Sequence, residues 1–425
     1  MVTEYKPRIA DRLLARKLQG KGAVLLEGAK WCGKTTTAEQ IANSVLYMSE
    51  SGRMEQNILL ARINPQMLLK GAKPRLIDEW QVAPQLWDSI RFEADHSREL
   101  GLFILTGSSV PADMSQVMHS GTGRFGWVKM RPMSLWESGE STGEVSIKNL
   151  FDGAESIEGS SKLDFERISF VSCRGGWPLA IAMSDEIALD QAYDYIDAVE
   201  HRDIRQADNV ERDPARVHRL LRSYARHQGS QANYSTICAD LASNEGDSFD
   251  EDTVASYIKA LKSIFVVEDV EAWNPNLRSK TAIRTSDTRY FTDPSIATAA
   301  LGLGPADLLY DLDTFGLIFE TLCMRDLRIF ADALNGNVYH YRDKTGLECD
   351  AVLHLRDGRY GLIEIKLGGD TLITEGSKTL KNLADKIDTS RMKRPSFLMV
   401  LTANGPYAYR RDDGVYVVPA GCLKD

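Results

Sequence analysis

Residues 28–35 have the types and spacing of a loop that binds phosphate groups. The segment fits the pattern G-x-x-x-x-G-K-[ST] and consists of Gly28, Ala29, Lys30, Trp31, Cys32, Gly33, Lys34 and Thr35. The glycines let the backbone curve so that its N–H groups converge on an anion. Lys34 supplies positive charge for the outer phosphates, and the Thr35 hydroxyl is an oxygen ligand suited to Mg²⁺. The pattern therefore predicts a site for ATP and Mg²⁺.

The elements on either side of the loop support this prediction. Residues 23–26 are an apolar run of strand type, and residues 36–42, from Thr36 onwards, contain good helix formers. A helix that starts directly after the loop adds its positive N-terminal end to the anion site. A chance glycine-rich turn, the alternative, would not explain both flanking elements. We therefore expect the residues from Gly28 to Thr36 to contact the nucleotide.

Two carboxylates end another apolar strand later in the chain. Residues 73–79 carry Leu76 and Ile77 followed by Asp78 and Glu79. A carboxylate at the end of such a strand can hold a water molecule bound to Mg²⁺, and a second can polarise the water that attacks a phosphate. After a phosphate-binding loop, the pair predicts Asp78 at the metal and Glu79 as the catalytic base.

Further candidates follow the next strand, predicted at 102–109. Parallel α/β sheets bind ligands at the carboxyl ends of their strands, so Thr106 or Ser108 could reach the γ-phosphate. The alternative is that these hydroxyls cap the next helix. A glycine-rich loop at 120–124 ends in Arg124, a candidate arginine finger for a neighbouring subunit's nucleotide, with Arg131 as the substitute. A strand at 127–131 then closes the core.

The composition is that of an ordinary globular protein. Its 425 residues, 26% charged and 43% hydrophobic, predict about two to four domains. No apolar run approaches the ~18 residues of a membrane span and the N-terminus has no apolar signal core, so we expect a cytoplasmic protein. The six cysteines form no C-x-x-C pair, which favours reduced thiols. The net charge of −9 argues against a surface covered with nucleic acid but allows a local basic groove.

The middle of the chain predicts a linker and two helical regions. Residues 139–162 are rich in Gly, Ser and Glu and predict a linker or insertion, and the helices that follow, one starting at Pro178, predict a small lid. Helices at 234–242 and 250–263 with strands at 265–270 and 288–291 predict a winged helix. Its second helix begins with three acids, which argues against DNA recognition by that helix. Its wing has four basic residues that could touch a nucleic-acid backbone, unless the wing is purely structural: Arg278, Lys280, Arg284 and Arg289.

A second group of charged residues lies near the end of the chain. A helix at 314–330 carries Glu320, and strands at 338–342, 347–355 and 360–367 carry Asp350, Glu364 and Lys366. Residues two apart on a strand point to one face, so Glu364 and Lys366 can converge with the other two. Carboxylates for a divalent metal and an ammonium group to activate water are what phosphodiester hydrolysis requires. The alternative is an ordinary exposed face of a sheet.

These motifs together resemble a prokaryotic family of AAA-type ATP-binding proteins, STAND-like in part, that end in a domain of unknown function. Besides the phosphate loop, the segments that carry the resemblance are Leu76-Ile77-Asp78-Glu79-Trp80, Leu105-Thr106-Gly107-Ser108-Ser109, Gly123-Arg124, Gly175-Gly176-Trp177-Pro178, Asp293-Pro294-Ser295, Phe315-Gly316-Leu317-Ile318-Phe319-Glu320 and Ile363-Glu364-Ile365-Lys366-Leu367-Gly368.

The resemblance implies an α/β fold in four parts. These are a P-loop ATPase core with a parallel sheet (1–145), a helical lid (160–210), a winged helix-turn-helix (211–302) and a domain similar to PD-(D/E)XK restriction nucleases (303–425). It also implies that Pro178 lies beside the adenine of the nucleotide. Asp350 follows Glu348-Cys349, whereas the nuclease pattern usually has a proline before its first acid.

Three functions follow as hypotheses. The first is an Mg²⁺-dependent ATPase switch whose nucleotide state repositions the winged helix and C-terminal region, acting on nucleic acid or a protein partner and assembling through a trans-acting Arg124. The second is a nuclease with a further Mg²⁺ or Mn²⁺ ion at Glu320, Asp350, Glu364 and Lys366. The third is a nucleotide-gated interaction protein with a vestigial nuclease site.

Overall fold

The computed structural model of the chain describes residues 4–111, 121–154, 156–275 and 283–425. The helices within these residues are α1 Ile9–Leu18, α2 Lys34–Glu39, α3 Met54–Ile63, α4 Pro65–Leu69, α5 Leu86–Ser97, α6 Leu135–Ser138, α7 Ile147–Phe151, α8 Phe165–Arg174, α9 Pro178–Ile181, α10 Asp185–Ala198, α11 Ile204–Asp208, α12 Pro214–Arg226, α13 Tyr234–Asp240, α14 Glu251–Ser263, α15 Pro294–Leu301, α16 Pro305–Tyr310, α17 Leu312–Ala333 and α18 Asp370–Lys386. The strands are β1 Ala23–Glu27, β2 Ser44–Tyr47, β3 Arg75–Asp78, β4 Phe103–Gly107, β5 Phe125–Lys129, β6 Val145–Ser146, β7 Gly159–Ser160, β8 Gly336–Arg342, β9 Glu348–Leu355, β10 Tyr360–Lys366, β11 Phe397–Thr402, β12 Tyr407–Arg410, β13 Tyr416–Pro419 and β14 Leu423–Lys424.

The described residues divide into two units, each built from separated stretches of the chain. The first comprises Met1–Pro132, Ala198–Pro214 and Tyr257–Val266, and the second comprises Met133–Asp197, Ala215–Ser256 and Val267–Asp425. Helix α14 contributes residues to both. Within the described residues, no helix combines the length and the apolar character that crossing a membrane requires.

A parallel sheet organises the first unit. Five strands of the described chain lie in the order β2-β3-β4-β1-β5. Strands β1, β3 and β4 fall within or overlap the predicted runs, whereas β5 begins two residues before the strand predicted at 127–131. Alternate residues of β1 face two different cores: Ala23 and Leu25 pack in one, and Val24 and Leu26 pack in the other. Because both faces are covered, the strands are almost continuously apolar. The register pairs Glu27 of β1 with Gly107 of β4, so the carboxyl ends of these strands share one edge of the sheet.

A mixed sheet organises the second unit. In the described chain its strands lie in the order β7-β12-β13-β11-β10-β9-β8. Strands β9 and β10 are antiparallel neighbours, whereas β10 and β11 are parallel and are joined through α18. The long helix α17 packs on β8, β9 and β10 and buries Phe315, Ile318, Phe319 and Leu322, the apolar stripe that its sequence predicts. The helix and the strands expected to carry the second charged group are therefore present.

The segment predicted as a linker or insertion at 139–162 belongs to the second unit, so it is not a linker. Strand β6 pairs with β14, and β7 pairs with β12. Helix α7 begins directly after Ser146, whose side chain accepts a hydrogen bond from the Asn149 backbone N–H. Strands of two residues have no alternation of polar and apolar side chains to detect, which is why the sequence suggested a linker.

The region predicted as a winged helix has its helices but not full strands. Helices α13 and α14 are present, and isolated antiparallel bridges join Val267 with Phe291 and Val270 with Thr288. The strands predicted at 265–270 and 288–291 are therefore reduced to bridges. Arg289 faces Asp269 at 2.5 Å with 11% of its side chain exposed, so it is not the predicted surface contact for nucleic acid. The candidates Arg278 and Lys280, like Ser120 of the glycine-rich loop, lie outside the described residues.

Candidate active site

The loop after β1 has a backbone that only glycine can adopt at its two ends. Gly28 has φ 155°, and a Cβ atom there would lie 1.9 Å from the Met130 carbonyl oxygen. Gly33 has φ 97° and is the residue immediately before α2. The start of the loop therefore lies against the segment that follows β5, and the end of the loop leads directly into α2. This confirms the strand, loop and helix arrangement that the motif predicts.

Lys34 lies inside this loop. Its side chain is buried, and its ammonium group donates hydrogen bonds to the carbonyl oxygens of Gly28 at 2.9 Å and Ala29 at 2.8 Å. The contacts hold the positive charge within the curve of the backbone. Thr36, in contrast, is exposed on the first turn of α2. Of the predicted contacts, Lys34 is the one that the fold positions most firmly.

Asp78 joins the loop to two neighbouring strands. Its Oδ1 atom accepts a hydrogen bond from the Thr35 hydroxyl at 2.6 Å and another from the Thr106 hydroxyl at 2.7 Å. These oxygens meet at the carboxyl edge of the sheet because β1, β3 and β4 are parallel. A hydroxyl beside a carboxylate is the donor set that Mg²⁺ takes next to nucleotide phosphates. Thr35 and Asp78 therefore fit the ion that the sequence predicts.

Glu79 is held in an unusual conformation directly after Asp78. Its backbone is left-handed, with φ 57° and ψ 49°, which non-glycine residues adopt at a cost. Its Oε2 atom accepts hydrogen bonds from the Ser108 hydroxyl at 2.9 Å and from the Gln81 amide, while its N–H donates to Thr106 at 3.2 Å. Thr106 and Ser108 thus contact the two acids and do not simply cap a helix.

The two candidate arginines lie at opposite edges of the sheet. Arg124 precedes β5 and its backbone accepts from Gly22, next to the start of β1, so it lies at the amino edge. Its side chain, 53% exposed, pairs with Asp95. Arg131 follows β5 at the carboxyl edge and is buried. Arg124 is therefore not placed at its own subunit's phosphate loop, and its action on a neighbouring subunit stays a prediction.

The remaining loop residues differ in their surroundings. Cys32 is fully buried, whereas Trp31 is 46% exposed and has a positive φ of 66°. Ala29 is buried as well. Pro178 begins the short helix α9 in the second unit, at the first-turn position that its residue type favours. Its predicted contact with adenine stays a prediction.

Three residues near the loop have no motif that would reveal them. Arg8 is buried, and its guanidinium donates to the carbonyl oxygens of Cys32 at 2.9 Å and Arg131 at 2.8 Å. Gln81 contacts Glu79 and Ser108, and Asp203 contacts Lys30. Arg8 and Asp203 lie in amphipathic helical stretches where a charged residue normally indicates a solvated face. Of the three, only Gln81 has a sequence signal, because it lies two residues after Glu79.

The four charged residues of the second group converge in the second unit. The Lys366 ammonium lies 2.8 Å from Glu364 and 3.2 Å from Asp350, and Asp350 also accepts from the Ile365 N–H at 2.7 Å. Glu320 accepts a hydrogen bond from the Tyr290 hydroxyl. The group is therefore not an ordinary exposed sheet face, although whether it is a nuclease site stays a prediction.

Burial changes the proton affinity of this group, which we call the acid-lysine cluster (Glu320, Asp350, Glu364 and Lys366). Burial, followed by the charge of Asp350, raises the pKa of Glu320 to about 8. The same two causes outweigh Lys366 and raise the pKa of Glu364 to about 8. Glu320 retains some solvent access at its surface, yet the protein packed around it removes most of its hydration. Burial acts to lower the pKa of Lys366, but the neighbouring acids raise it above its ordinary value.

One atom of the cluster lacks a partner. Among the described residues, Glu364 Oε1 is buried and has no hydrogen bond. A buried carboxyl oxygen without a partner is costly, and a cation that replaced the proton of Glu364 would offset that cost. The oxygen ligands of Asp350 and Glu364 thus fit a hard divalent ion such as Mg²⁺ or Mn²⁺.

Sequence families match three parts of the chain. Residues 20–138 match an AAA domain, residues 166–307 match a domain of unknown function (DUF8612), and residues 315–423 match another domain of unknown function (DUF4143). The first match confirms the predicted AAA-type P-loop core and supports ATP binding and hydrolysis. The matches at 166–307 and 315–423 say nothing about a winged helix or a nuclease.

The comparison with solved structures includes two matches over more than half of the chain. The Walker-type ATPase PABY2304 of Pyrococcus abyssi is 15% identical with a TM-score of 0.43, and the match covers 71% of this chain and 99% of that chain. A threonine-to-valine variant of RuvB from Thermotoga maritima is 14% identical with a TM-score of 0.26, covering 61% of this chain and 88% of that chain. A comparison with curated proteins finds no match.

Proposed function

We propose that this chain is an Mg²⁺-dependent ATPase that acts as a nucleotide-driven switch. The observation that carries the proposal is the position of Asp78, whose Oδ1 atom accepts from both Thr35 and Thr106 at the mouth of the phosphate loop. The AAA match over residues 20–138 supports the same conclusion. An Mg²⁺ ion held by Thr35 and, through water, by Asp78 would neutralise charge on the β- and γ-phosphates.

The chain's own residues have distinct tasks in this reaction. Lys34 leaves the loop carbonyls to bind the β- and γ-phosphates. Glu79 accepts a proton from the attacking water as an oxygen–phosphorus bond forms at the γ-phosphate and the bond to ADP breaks. Ser108 and Gln81 hold the Glu79 carboxylate through hydrogen bonds to Oε2. In our proposal, Arg124 of an adjacent subunit stabilises the charge that develops on the γ-phosphate.

Substitution of Lys34 tests this assignment. Lys34→Ala in the full chain should abolish ATP turnover and weaken ATP binding, because the buried cation of the loop is lost. Lys148→Ala is a suitable control, since Lys148 is an exposed lysine on α7 that pairs with Asp152 just after that helix. If Lys34→Ala bound and hydrolysed ATP like the wild type, the loop would not be the nucleotide site.

Metal-dependent nuclease action is the second candidate function. The acid-lysine cluster supports it, because the carboxylates of Asp350 and Glu364 contact one ammonium group and Glu364 Oε1 has no hydrogen bond among the described residues. A bound Mg²⁺ or Mn²⁺ would polarise a phosphodiester, and Lys366 could stabilise the oxyanion that forms. Cleavage of single- and double-stranded DNA and RNA should then require the metal and disappear in Lys366→Ala.

The control for that assay is Lys378→Ala, which removes an exposed lysine from the neighbouring helix α18. Cleavage that survives Lys366→Ala would exclude the acid-lysine cluster as its source. If the wild type cleaves no substrate but still binds a partner in an ATP-dependent manner, the C-terminal region is a binding module. That result would favour the interaction protein with a vestigial site.

A further inference from the structure

The phosphate loop contains a second lysine with a strong ionic contact. The Lys30 ammonium donates to Asp203 Oδ1 at 2.5 Å and to Gln206 Oε1 at 3.3 Å. The Lys30 side chain is 35% exposed, whereas the Asp203 side chain is 9% exposed. Both residues belong to the first unit. The largely buried carboxylate of Asp203 is therefore held beside the predicted phosphate loop through its contact with Lys30.

The position of Asp203 is unfavourable for a nucleotide with a terminal phosphate. Like charges a few ångströms apart repel each other unless a cation lies between them. Asp203 ends a π-helical turn at Val199–Asp203, directly before α11, and such turns are frequent at functional sites. Gln206, one turn further on, contacts the same ammonium group. The helix thus presents two oxygen acceptors to a loop cation.

We propose that Lys30 binds the outermost phosphate of ATP, and that it exchanges Asp203 for this phosphate when ATP binds. Lys34 is buried inside the loop with the carbonyls of Gly28 and Ala29. The partly exposed Lys30 contacts an acid on a different element, and in our proposal it binds the phosphate that projects furthest beyond the loop. ADP lacks that phosphate, and Lys30 remains paired with Asp203. The ion pair therefore distinguishes ATP from ADP, an inference that rests on the proposed ATPase function.

The two partners should affect nucleotide affinity in opposite directions. Lys30→Met removes the cation and should weaken binding of the ATP analogue AMP-PNP by about tenfold or more, the effect of losing one charge-assisted hydrogen bond. Asp203→Asn removes the competing charge and should tighten AMP-PNP binding by roughly fivefold. Neither substitution should change ADP affinity by more than about twofold. A structural brace would behave differently, because removing either partner would weaken both nucleotides.

The experiment is equilibrium binding of AMP-PNP and ADP to the full chain in the presence of Mg²⁺. Lys30→Arg should retain most of the affinity, since it keeps the charge, and Lys148→Met controls for loss of a similar pair, with Lys148 and Asp152 at 2.5 Å. Thermal unfolding of each variant confirms that it is folded, and Asp203→Asn still provides the test if Lys30→Met is unstable.

The possible outcomes separate this inference from the proposed function. Opposite effects of Lys30→Met and Asp203→Asn on AMP-PNP alone support the exchange. Equal losses for both nucleotides in both variants, or no change in either, overturn it while leaving ATP binding by the loop intact. A wild-type chain that binds neither nucleotide would overturn the proposed function itself.

Discussion

At the level of single residues, the groups expected to bind ATP differ from those expected to catalyse its hydrolysis. Glu79 contacts Ser108 and Gln81, whereas Lys34 and the loop backbone are the groups that would hold the phosphates. The left-handed backbone at Glu79 stores strain that the surrounding hydrogen bonds maintain. Loss of its carboxylate should therefore affect the reaction far more than the affinity.

The variant Glu79→Gln tests this separation. The amide cannot accept the proton of the attacking water, so kcat should fall by about 10²- to 10⁴-fold, while the Kd for ATP stays near the wild-type value. Steady-state hydrolysis and equilibrium binding measure the two quantities. Wild-type turnover in Glu79→Gln would remove Glu79 from the role of base.

The pH dependence of stability tests the acid-lysine cluster. The pKa of Glu320 is raised to about 8 in the folded chain, from an ordinary value of 4.5. Between these values the folded chain retains a proton that the unfolded chain has released, so this group lowers stability as pH rises from about 4.5 to about 8. Glu320→Gln should remove this contribution and unfold at a higher temperature than the wild type near pH 8.

Thermal unfolding of both proteins across that pH range provides the measurement. Mn²⁺ should raise the unfolding temperature of the wild type most near pH 8, because the metal competes with the proton for the carboxylates. A Glu320→Gln variant with the same slope against pH as the wild type would contradict the raised pKa.

The sequence could predict residues within motifs but not their partners from elsewhere in the chain. Thr35 and Asp78 were predictable, because a phosphate loop and an acidic strand end meet at one edge of a parallel sheet. Arg8 and Asp203 were not, since their contacts depend on how distant helices pack. The convergence of Glu320 with Lys366 was predictable from strand alternation and a family resemblance, but the unpartnered oxygen of Glu364 was not.

At the level of elements, the shape of the phosphate loop requires its backbone at Gly28 to lie against the segment that follows β5. The position of the Met130 carbonyl oxygen leaves no room for a Cβ atom at Gly28. Gly123 also has a positive φ, of 85°, but a Cβ there meets nothing within 4 Å. An alanine at either position would strain the backbone, but only an alanine at Gly28 would also collide with another atom.

Gly28→Ala should distort the loop and lower ATP affinity by on the order of a hundredfold, which corresponds to ~2.7 kcal/mol. Gly123→Ala should cost about 1 kcal/mol of stability and leave ATP affinity unchanged. Nucleotide titration and denaturant unfolding of both variants measure these effects. Normal ATP affinity in Gly28→Ala would mean that the loop does not need this backbone geometry.

Element prediction was reliable where periodicity was strong. Helix α17 carries an apolar stripe along a long helix and β1 a continuous apolar run, and both are present. Strands β6 and β7 have two residues each, too few to show a period, and they occur where a linker was expected. The bridges at Val267 and Val270 are likewise too limited to be distinguished from an irregular segment by pattern alone.

For the molecule as a whole, the position of Arg124 predicts that catalysis depends on self-assembly. This arginine lies at the amino edge of the sheet and is half exposed beside Asp95, whereas the phosphate loop lies at the carboxyl edge. It can contribute to catalysis only at the loop of another subunit. The specific ATPase activity of the wild type should therefore rise with protein concentration.

Arg124→Ala should lose that rise and reduce turnover of the assembled protein by on the order of a thousandfold, the usual effect of an arginine finger. Arg53→Ala, which removes an exposed arginine paired with Glu50, should behave like the wild type. Hydrolysis rates over a range of concentrations, with molar mass in solution, make the comparison. Specific activity that is independent of concentration and of Arg124 would exclude the trans role.

Single-turnover hydrolysis tests whether Asp78 and Thr35 form the Mg²⁺ site of an ATPase. We predict that the wild type hydrolyses ATP with Mg²⁺ and stops when the ion is chelated. Asp78→Asn should still bind ATP but show almost no turnover at the same Mg²⁺ concentration. Wild-type turnover in Asp78→Asn, or hydrolysis by the wild type without a divalent ion, would contradict the claim.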